Sequence, residues 1–220
     1  MNLIFLDRDG VVNEFPGNGY YVTKLKEFHF IPRSLDAIRI LTEKGFTIFI
    51  VSNQAGVGKG VYSKQKLQHI TRKMLEKIKE AGGKIRKVYY CTHRSDHGCD
   101  CRKPQIGSIR KGLKLVGKSP GFAKSTYFVG DTESDIQAGH NAGCKTIFVL
   151  SGREDCHYMR RWDDIRPDYI FRDLYDATQF VTGSKSIKPI SQNSTAARAI
   201  INKRRRKINI NHRRRSADSH

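Results

Sequence analysis

Five short runs rich in β-branched and aromatic residues recur along the first 150 positions, each separated from the next by a helical pattern. LIFLD at 3–7, TIFIVS at 47–52, KVYYC at 87–91, TYFVG at 126–130 and TIFVL at 146–150 are apolar almost throughout instead of alternating with polar residues. Runs of that kind belong to strands covered on both faces, as in a parallel sheet. Between them Leu35, Ile38 and Leu41 share one helical face, as do Leu67, Ile70, Met74, Leu75 and Ile78, and segments 106–116 and 133–142 suit helices too. Strand and helix in repeated alternation predict an α/β fold, a doubly wound Rossmann-like parallel sheet. The intervals between strands are filled by single helices, which leaves no room for a large cap domain. A weaker strand, DYIF at 168–171, and a helix over 173–181 close the pattern, so the folded body is expected to span residues 1–183.

Residues 184–220 have a different character. Eleven Lys and Arg stand there against one acid, Asp218, so this segment carries half of the net charge of +20. With NKRRRK at 202–207 and HRRR at 212–215 it holds too few apolar residues to offset the entropy of ordering it. It is read as a basic, disordered tail suited to non-specific contact with nucleic acid or an anionic surface. No apolar run approaches the ~20 residues of a membrane span, and the run from Leu3 to Leu6 is too short for the core of a signal peptide. A cytoplasmic protein acting as a monomer is expected.

In open α/β sheets functional side chains gather beyond the carboxyl ends of the strands, and four such places are chemically loaded here. The first strand runs into DRDG, with Asp7 and Asp9 two residues apart; paired carboxylates suit magnesium binding, or a nucleophile beside an acid. The second ends in VSNQAGVGKG, where Ser52, Asn53 and Gln54 offer polar groups and Gly56, Gly58 and Gly60 would let backbone N–H groups approach an anion; the P-loop pattern is absent. The third leads into CTHRSDHGCDCRKP, which crowds three of the chain's five cysteines and two histidines against Arg102 and Lys103. Clustered cysteines in such a chain point to a metal instead of a disulfide, while Cys144 and Cys156 read as free thiols. The fourth ends in GDTESD, and a helix beginning there would place Asp131 and Asp135 on one face.

FLDRDGVV, VSNQ, RKP and VGDTESDIQAG occur in this order, each at an expected strand end. Together they resemble the haloacid dehalogenase phosphatase superfamily over residues 2–182. Within it, the cysteine loop and SNQAGVGKG are most similar to the D-glycero-D-manno-heptose 1,7-bisphosphate 7-phosphatases and to the related histidinol-phosphate phosphatases. The resemblance implies a magnesium-dependent phosphomonoesterase acting on a small phosphorylated molecule. In it Asp7 is the nucleophile that forms an aspartyl-phosphate, and Asp9 is the acid and base. Asp7, the backbone carbonyl of Asp9 and Asp131 would hold magnesium with Asp135 in support, while Ser52 and Lys103 would bind the transferring phosphoryl oxygens. Arg102 would recognise substrate, with Gly19, Tyr20, Tyr21, Asn53 and Gln54 as further contacts.

Cys91, His93, Cys99 and Cys101 form C-x-H-x5-C-x-C, which resembles the structural zinc loop of these enzymes; four ligands leave no open position. His97, inside the same loop, is an alternative to His93. Two substrates stay open, because the loop between His93 and Cys99 is short, as in histidinol-phosphate phosphatases, while FPGNGYYVTKLKEF after the first motif fits a heptose-type substrate loop. A third reading takes the basic tail as the guide and makes the chain a polynucleotide 3′-phosphatase or nucleic-acid-binding protein.

Overall fold

The computed structural model describes residues 2–119, 126–153 and 165–191. The expected tail segment 192–220 and Cys156 lie outside the described residues. Six strands form one parallel sheet: β1 (Asn2–Leu6), β2 (Phe46–Asn53), β3 (Ile85–Cys91), β4 (Thr126–Gly130), β5 (Lys145–Val149) and β6 (Tyr169–Phe171). Their order is β3-β2-β1-β4-β5-β6, with β1 central, between β2 and β4. The chain builds outward from β1 to β3, then crosses back over β1 to β4, which creates the crevice where such sheets place their ligands.

Every expected strand and every expected helix forms. Helices α1 (Ser34–Glu43) and α3 (Lys64–Glu80), with α6 (Leu174–Val181), cover one face; α4 (Gly107–Leu115) and α5 (Glu133–Asn141) cover the other. The period of two in each strand explains the division. Ile4, Leu6, Ile48 and Ile50 pack with Ile38, Leu41, Ile70, Met74 and Ala177, whereas Leu3, Phe5, Phe49 and Val51 pack with Ile109, Leu113, Ala138 and Ala142. On this second face Phe5 stacks on Phe49 at 5.0 Å and on Phe128 at 6.3 Å. Gly112 lets α4 approach closely, since a Cβ there would stand 2.7 Å from the Phe5 ring.

Capping fixes where the helices begin. The Ser63 hydroxyl accepts from the Lys66 amide at 3.2 Å to start α3, and the Asp173 carboxylate accepts from the Asp176 amide at 2.9 Å to start α6. No separate cap domain interrupts the described residues. The segment between β1 and α1 instead forms a loop tied by the Asn13 bridges to Asp9 and Phe30, and it overhangs the carboxyl end of the sheet. Packing continues past Gly183: Ile187 packs against the main core, and the Ile190 amide donates to the Ile170 carbonyl at 2.8 Å.

The glycine-rich stretch after β2 departs from expectation. Ala55–Gly58 is a short helix, α2, not a flexible anion loop. A Cβ at Gly56 would strike the Tyr62 ring at 2.5 Å and Tyr21 at 2.9 Å, and one at Gly58 would collide with the Thr92 carbonyl oxygen. These two glycines permit close packing, and Gly60, at φ +72°, makes the turn that follows.

Candidate active site

Four strand ends converge on a cleft of about 490 Å³ at the carboxyl edge of the sheet. Asp7 follows β1, held by its amide's hydrogen bond to the Val129 carbonyl at 2.9 Å on neighbouring β4. Asp131 follows β4, and Asp135 stands in the first turn of α5. Lys103 enters from the loop after β3 and is 4% exposed. Its ammonium lies 2.6 Å from carboxylate oxygens of both Asp7 and Asp135 and donates to the Val51 carbonyl at 2.9 Å.

One cation therefore faces three buried carboxylates. Burial, with Asp135 and Asp7 nearby, drives Asp131 well above the ordinary carboxylate range. Burial also raises Asp7 to about 6, against the opposing pull of Lys103. Burial alone would depress Lys103, but Asp135 and Asp7 outweigh it and hold the ammonium protonated. The excess negative charge is what a divalent cation relieves. Asp7, Asp131 and Asp135 each bring an oxygen within 4.8 Å of the others, and Asp131 Oδ1 is buried with no hydrogen-bond partner among the described residues. An all-oxygen set of this kind fits magnesium. The other Asp131 oxygen accepts from the Arg153 amide. Asp135 Oδ2 is occupied as a cap, accepting from the Asp131 amide at 3.2 Å, the Thr132 amide at 3.1 Å and the Thr132 hydroxyl at 2.7 Å. Gly10 lies against this cluster at φ +91°, where any Cβ would enter the Asp131 carboxylate.

Asp9 stands apart from that trio. The Arg8 guanidinium forks onto it, with Nη2 at 2.8 and 2.9 Å and Nε at 3.1 Å, and the Asn13 and Gln54 amides donate at 2.9 and 2.7 Å. Arg8 itself is 1% exposed and packs over the Tyr90 ring at 5.6 Å. Gln54 was expected to touch substrate; it is instead buried, with its donor on Asp9 and its Oε1 accepting from Tyr62 at 2.6 Å. The same nitrogen also donates to the Ser52 hydroxyl at 3.2 Å, so both of its protons are engaged and Gln54 positions Asp9. Asn53 does border the cleft, but its amide exchanges two 3.1 Å hydrogen bonds with the Lys103 backbone, so it orients the lysine.

The remaining expected residues meet around the opening. Ser52, Arg102, Gly19, Tyr20 and Tyr21 all border the cleft. Ser52 is 2% exposed, and Arg102 lines the cleft with a buried Nη1 that has no partner among the described residues, the kind of donor an anionic group would satisfy. Sequence reasoning missed Arg8, Asn13, Tyr62, Lys59, Ser95 and Arg153. Of these, Arg153 was open to discovery, because it follows β5 at the same carboxyl edge.

Beside the cleft, Cys91, His93, Cys99 and Cys101 converge. The Cys91 and Cys101 sulfurs are each 3.6 Å from Cys99, and His93 Nδ1 is 3.7 Å from Cys91 and 3.3 Å from Cys101. A tetrahedral zinc with Zn–S near 2.3 Å requires S–S edges of about 3.8 Å and N–S edges of about 3.5 Å. The cluster fits that ion closely. Without one, burial and the neighbouring thiols push Cys101 up to about 12. His97 stacks on the outside of His93, ring centroids 5.0 Å apart, and His93 occupies the ligand position. Cys101 directly precedes Arg102 and Lys103, so the cluster fixes the base of both side chains, while Ser95 from the same loop reaches the cleft wall.

Comparison with known proteins agrees with this architecture. A HAD-hydrolase-like family model matches residues 100–177. The D-glycero-beta-D-manno-heptose-1,7-bisphosphate 7-phosphatase of Neisseria meningitidis is 32% identical over 183 residues, covering 82% of this chain and 95% of the relative. The enzyme of the same name from Pseudomonas aeruginosa is 35% identical over 153 residues, covering 69% of this chain and 83% of the relative. The crystal structure of D,D-heptose 1,7-bisphosphate phosphatase from B. bronchiseptica, complexed with magnesium and phosphate, matches with a TM-score of 0.76 at 30% identity. The match covers 84% of this chain and 100% of that one.

Proposed function

We propose, from the premise that the chain belongs to the D-glycero-D-manno-heptose-1,7-bisphosphate 7-phosphatase family of HAD-like hydrolases, that it removes the 7-phosphate of a heptose 1,7-bisphosphate. The observation that carries this reading is the placement of Asp7 against Lys103 at 2.6 Å, in a cleft walled by Gly19, Tyr20 and Tyr21 and open to a terminal phosphate.

Asp7 Oδ attacks phosphorus and the sugar oxygen leaves, giving an aspartyl-phosphate on Asp7. Asp9 supplies the proton to that oxygen, then removes one from the water that hydrolyses the intermediate. Arg8, Asn13 and Gln54 hold its carboxylate at the rim of the cleft for both transfers. Lys103 and the Ser52 hydroxyl stabilise charge on the transferring phosphoryl oxygens. Asp7, Asp131 and Asp135 would hold magnesium, which supplies the positive charge that lets a carboxylate approach an anionic phosphate. The four-ligand cluster would hold zinc in a structural role, and Arg102, with its unpartnered donor, takes the substrate's far polar groups.

Purified protein with magnesium, assayed for phosphate release from heptose 1,7-bisphosphate and from histidinol phosphate, tests the assignment, with Asp7→Asn as control. A kcat/KM at least 100-fold higher for the heptose is expected. The reverse order would give the short cysteine loop the greater weight and overturn the sugar assignment while leaving the chemistry in place.

A further inference from the structure

The positive charge of the folded body is confined to one stretch of chain. Residues 59–118 contain seventeen Lys and Arg and four acids, a net of +13. Residues 1–58 are neutral and 119–183 carry −3. The basic stretch contributes α3, β3 and α4, and β3 is the edge strand of the sheet. Folding therefore gathers the charge onto one side of the molecule, wrapped around a sheet edge. Arg86 and Lys87 are exposed on β3, as are Lys64, Arg72 and Lys79 on α3 and Arg110, Lys111 and Lys114 on α4.

A groove of about 690 Å³ lies along this side, between α3 and β3 and outside the catalytic cleft. Its floor is apolar, formed by Leu67, Leu75, Val88 and Tyr90; Lys64, Arg72 and Lys79 stand along it. These three cations span fifteen residues of helix, about 22 Å at 1.5 Å per residue. On β3 the register shifts at Arg86, between the Ile85 and Lys87 pairings, so the cations of the groove come from α3. The acid in the groove, Glu76, is engaged by Lys73 at 2.7 Å and more loosely by Arg72 at 3.9 Å.

We propose that this groove binds single-stranded nucleic acid, with phosphates along the Lys64, Arg72 and Lys79 row and bases against the apolar floor. A cationic row beside an apolar, aromatic-containing floor is how proteins hold single strands without reading sequence. Twenty-two ångströms accommodates roughly four nucleotides, a small site of the size such grooves offer. An anionic membrane suits the surface less well. The charges lie on both faces of the sheet as well as on its edge, so a plane cannot reach them together. Val61 and Leu115, the large exposed apolar side chains of this stretch, stand at opposite ends of the sheet.

The test uses the full chain and a labelled twelve-nucleotide oligothymidylate, followed by fluorescence anisotropy across a sodium chloride series. Lys64→Glu, Arg72→Glu and Lys79→Glu combined should weaken binding at least 10-fold and reduce the slope of log K against log salt by about 2. Phosphatase turnover, retained in this variant, reports that it is folded. Two further triple variants locate the effect: Arg204→Glu, Arg205→Glu and Arg206→Glu in the tail, and Lys145→Glu, Arg166→Glu and Lys185→Glu on the side of the opposite, β6 edge. The proposal is overturned if the groove variant binds as the parent does, or if the variant on the β6 side loses as much affinity as the groove variant. Binding lost in the tail variant but kept in the groove variant would assign the contact to the tail and overturn it too. So would vesicles containing phosphatidylglycerol that bind through the same groove residues while the oligonucleotide does not bind.

Discussion

Arg8 grips the carboxylate of its chain neighbour Asp9 with both ends of its guanidinium fork, 2.8 Å and 2.9 Å from Nη2 and 3.1 Å from Nε. Residues adjacent in a strand point to opposite faces, so such a pair forms only where the backbone turns; here it turns immediately after β1, and Arg8 is buried beneath the loop it stabilises. Arg8→Lys would keep the charge and lose the fork. Steady-state kinetics should show kcat lower by about 10-fold to 100-fold with KM within about two-fold, the signature of a misplaced proton donor.

Asp7→Asn should reduce kcat at least 10⁴-fold, since an amide cannot replace the attacking carboxylate. The same change removes one of three mutually repelling acids. In protein stripped of magnesium but retaining zinc, the variant's Tm is expected to exceed the parent's, measured by calorimetry at pH 7.5. An inactive variant that is less stable under these conditions would contradict the electrostatic account.

The pH dependence of stability follows from the same group. Asp7 is raised from 3.8 to about 6 on folding, and Asp131 moves in the same direction. Between about pH 4 and 6 the folded state holds more protons at Asp7 than the unfolded state, so this contribution to stability declines as pH rises through that window. Magnesium-free protein should show that decline, flattened in Asp7→Asn. Added magnesium should raise Tm more at pH 7.5 than at pH 5.

Removal of zinc separates the two metals. Cys101→Ser leaves three ligands, and a structural zinc contributes on the order of 10 kcal/mol where it has been measured in small sites. In this larger domain a drop in Tm of about 10 °C and a fall in turnover of about 10-fold are expected, with magnesium saturating, because Arg102 and Lys103 lose their anchor. Metal analysis of the parent should return one zinc per chain.

Gly112→Ala probes packing with no involvement of the site. The added methyl would stand 2.7 Å from Phe5 Cε1, and forcing α4 outward should cost about 1–3 kcal/mol by denaturant titration with kcat unchanged.

The strands were readable because β1, β2, β4 and β5 are buried on both faces and have no polar side to disguise them. Asp7, Ser52, Lys103 and Asp131 were readable for a related reason, since each lies at or beyond the carboxyl end of a strand that could be located. What escaped depends on contacts distant in sequence. Gln54 looked like a ligand contact until the fold carried it 45 positions back to Asp9. Gly56 and Gly58 suggested a backbone open to an anion, yet their lack of a side chain serves Tyr62, Tyr21 and the Thr92 carbonyl. Arg8 gave no local sign of burial, because its enclosure comes from Tyr90 on β3 and from the loop around Asn13.

The position of β3 at the rim of the sheet has a consequence for the chain among its own copies. Among the described residues its outer backbone groups have no strand beside them, and such an edge invites another molecule to extend the sheet and begin aggregation. Arg86 and Lys87 project from the middle of that invitation. A second copy docking edge to edge would bring like charges together, so β3 is guarded against self-recruitment by the residues that make it basic.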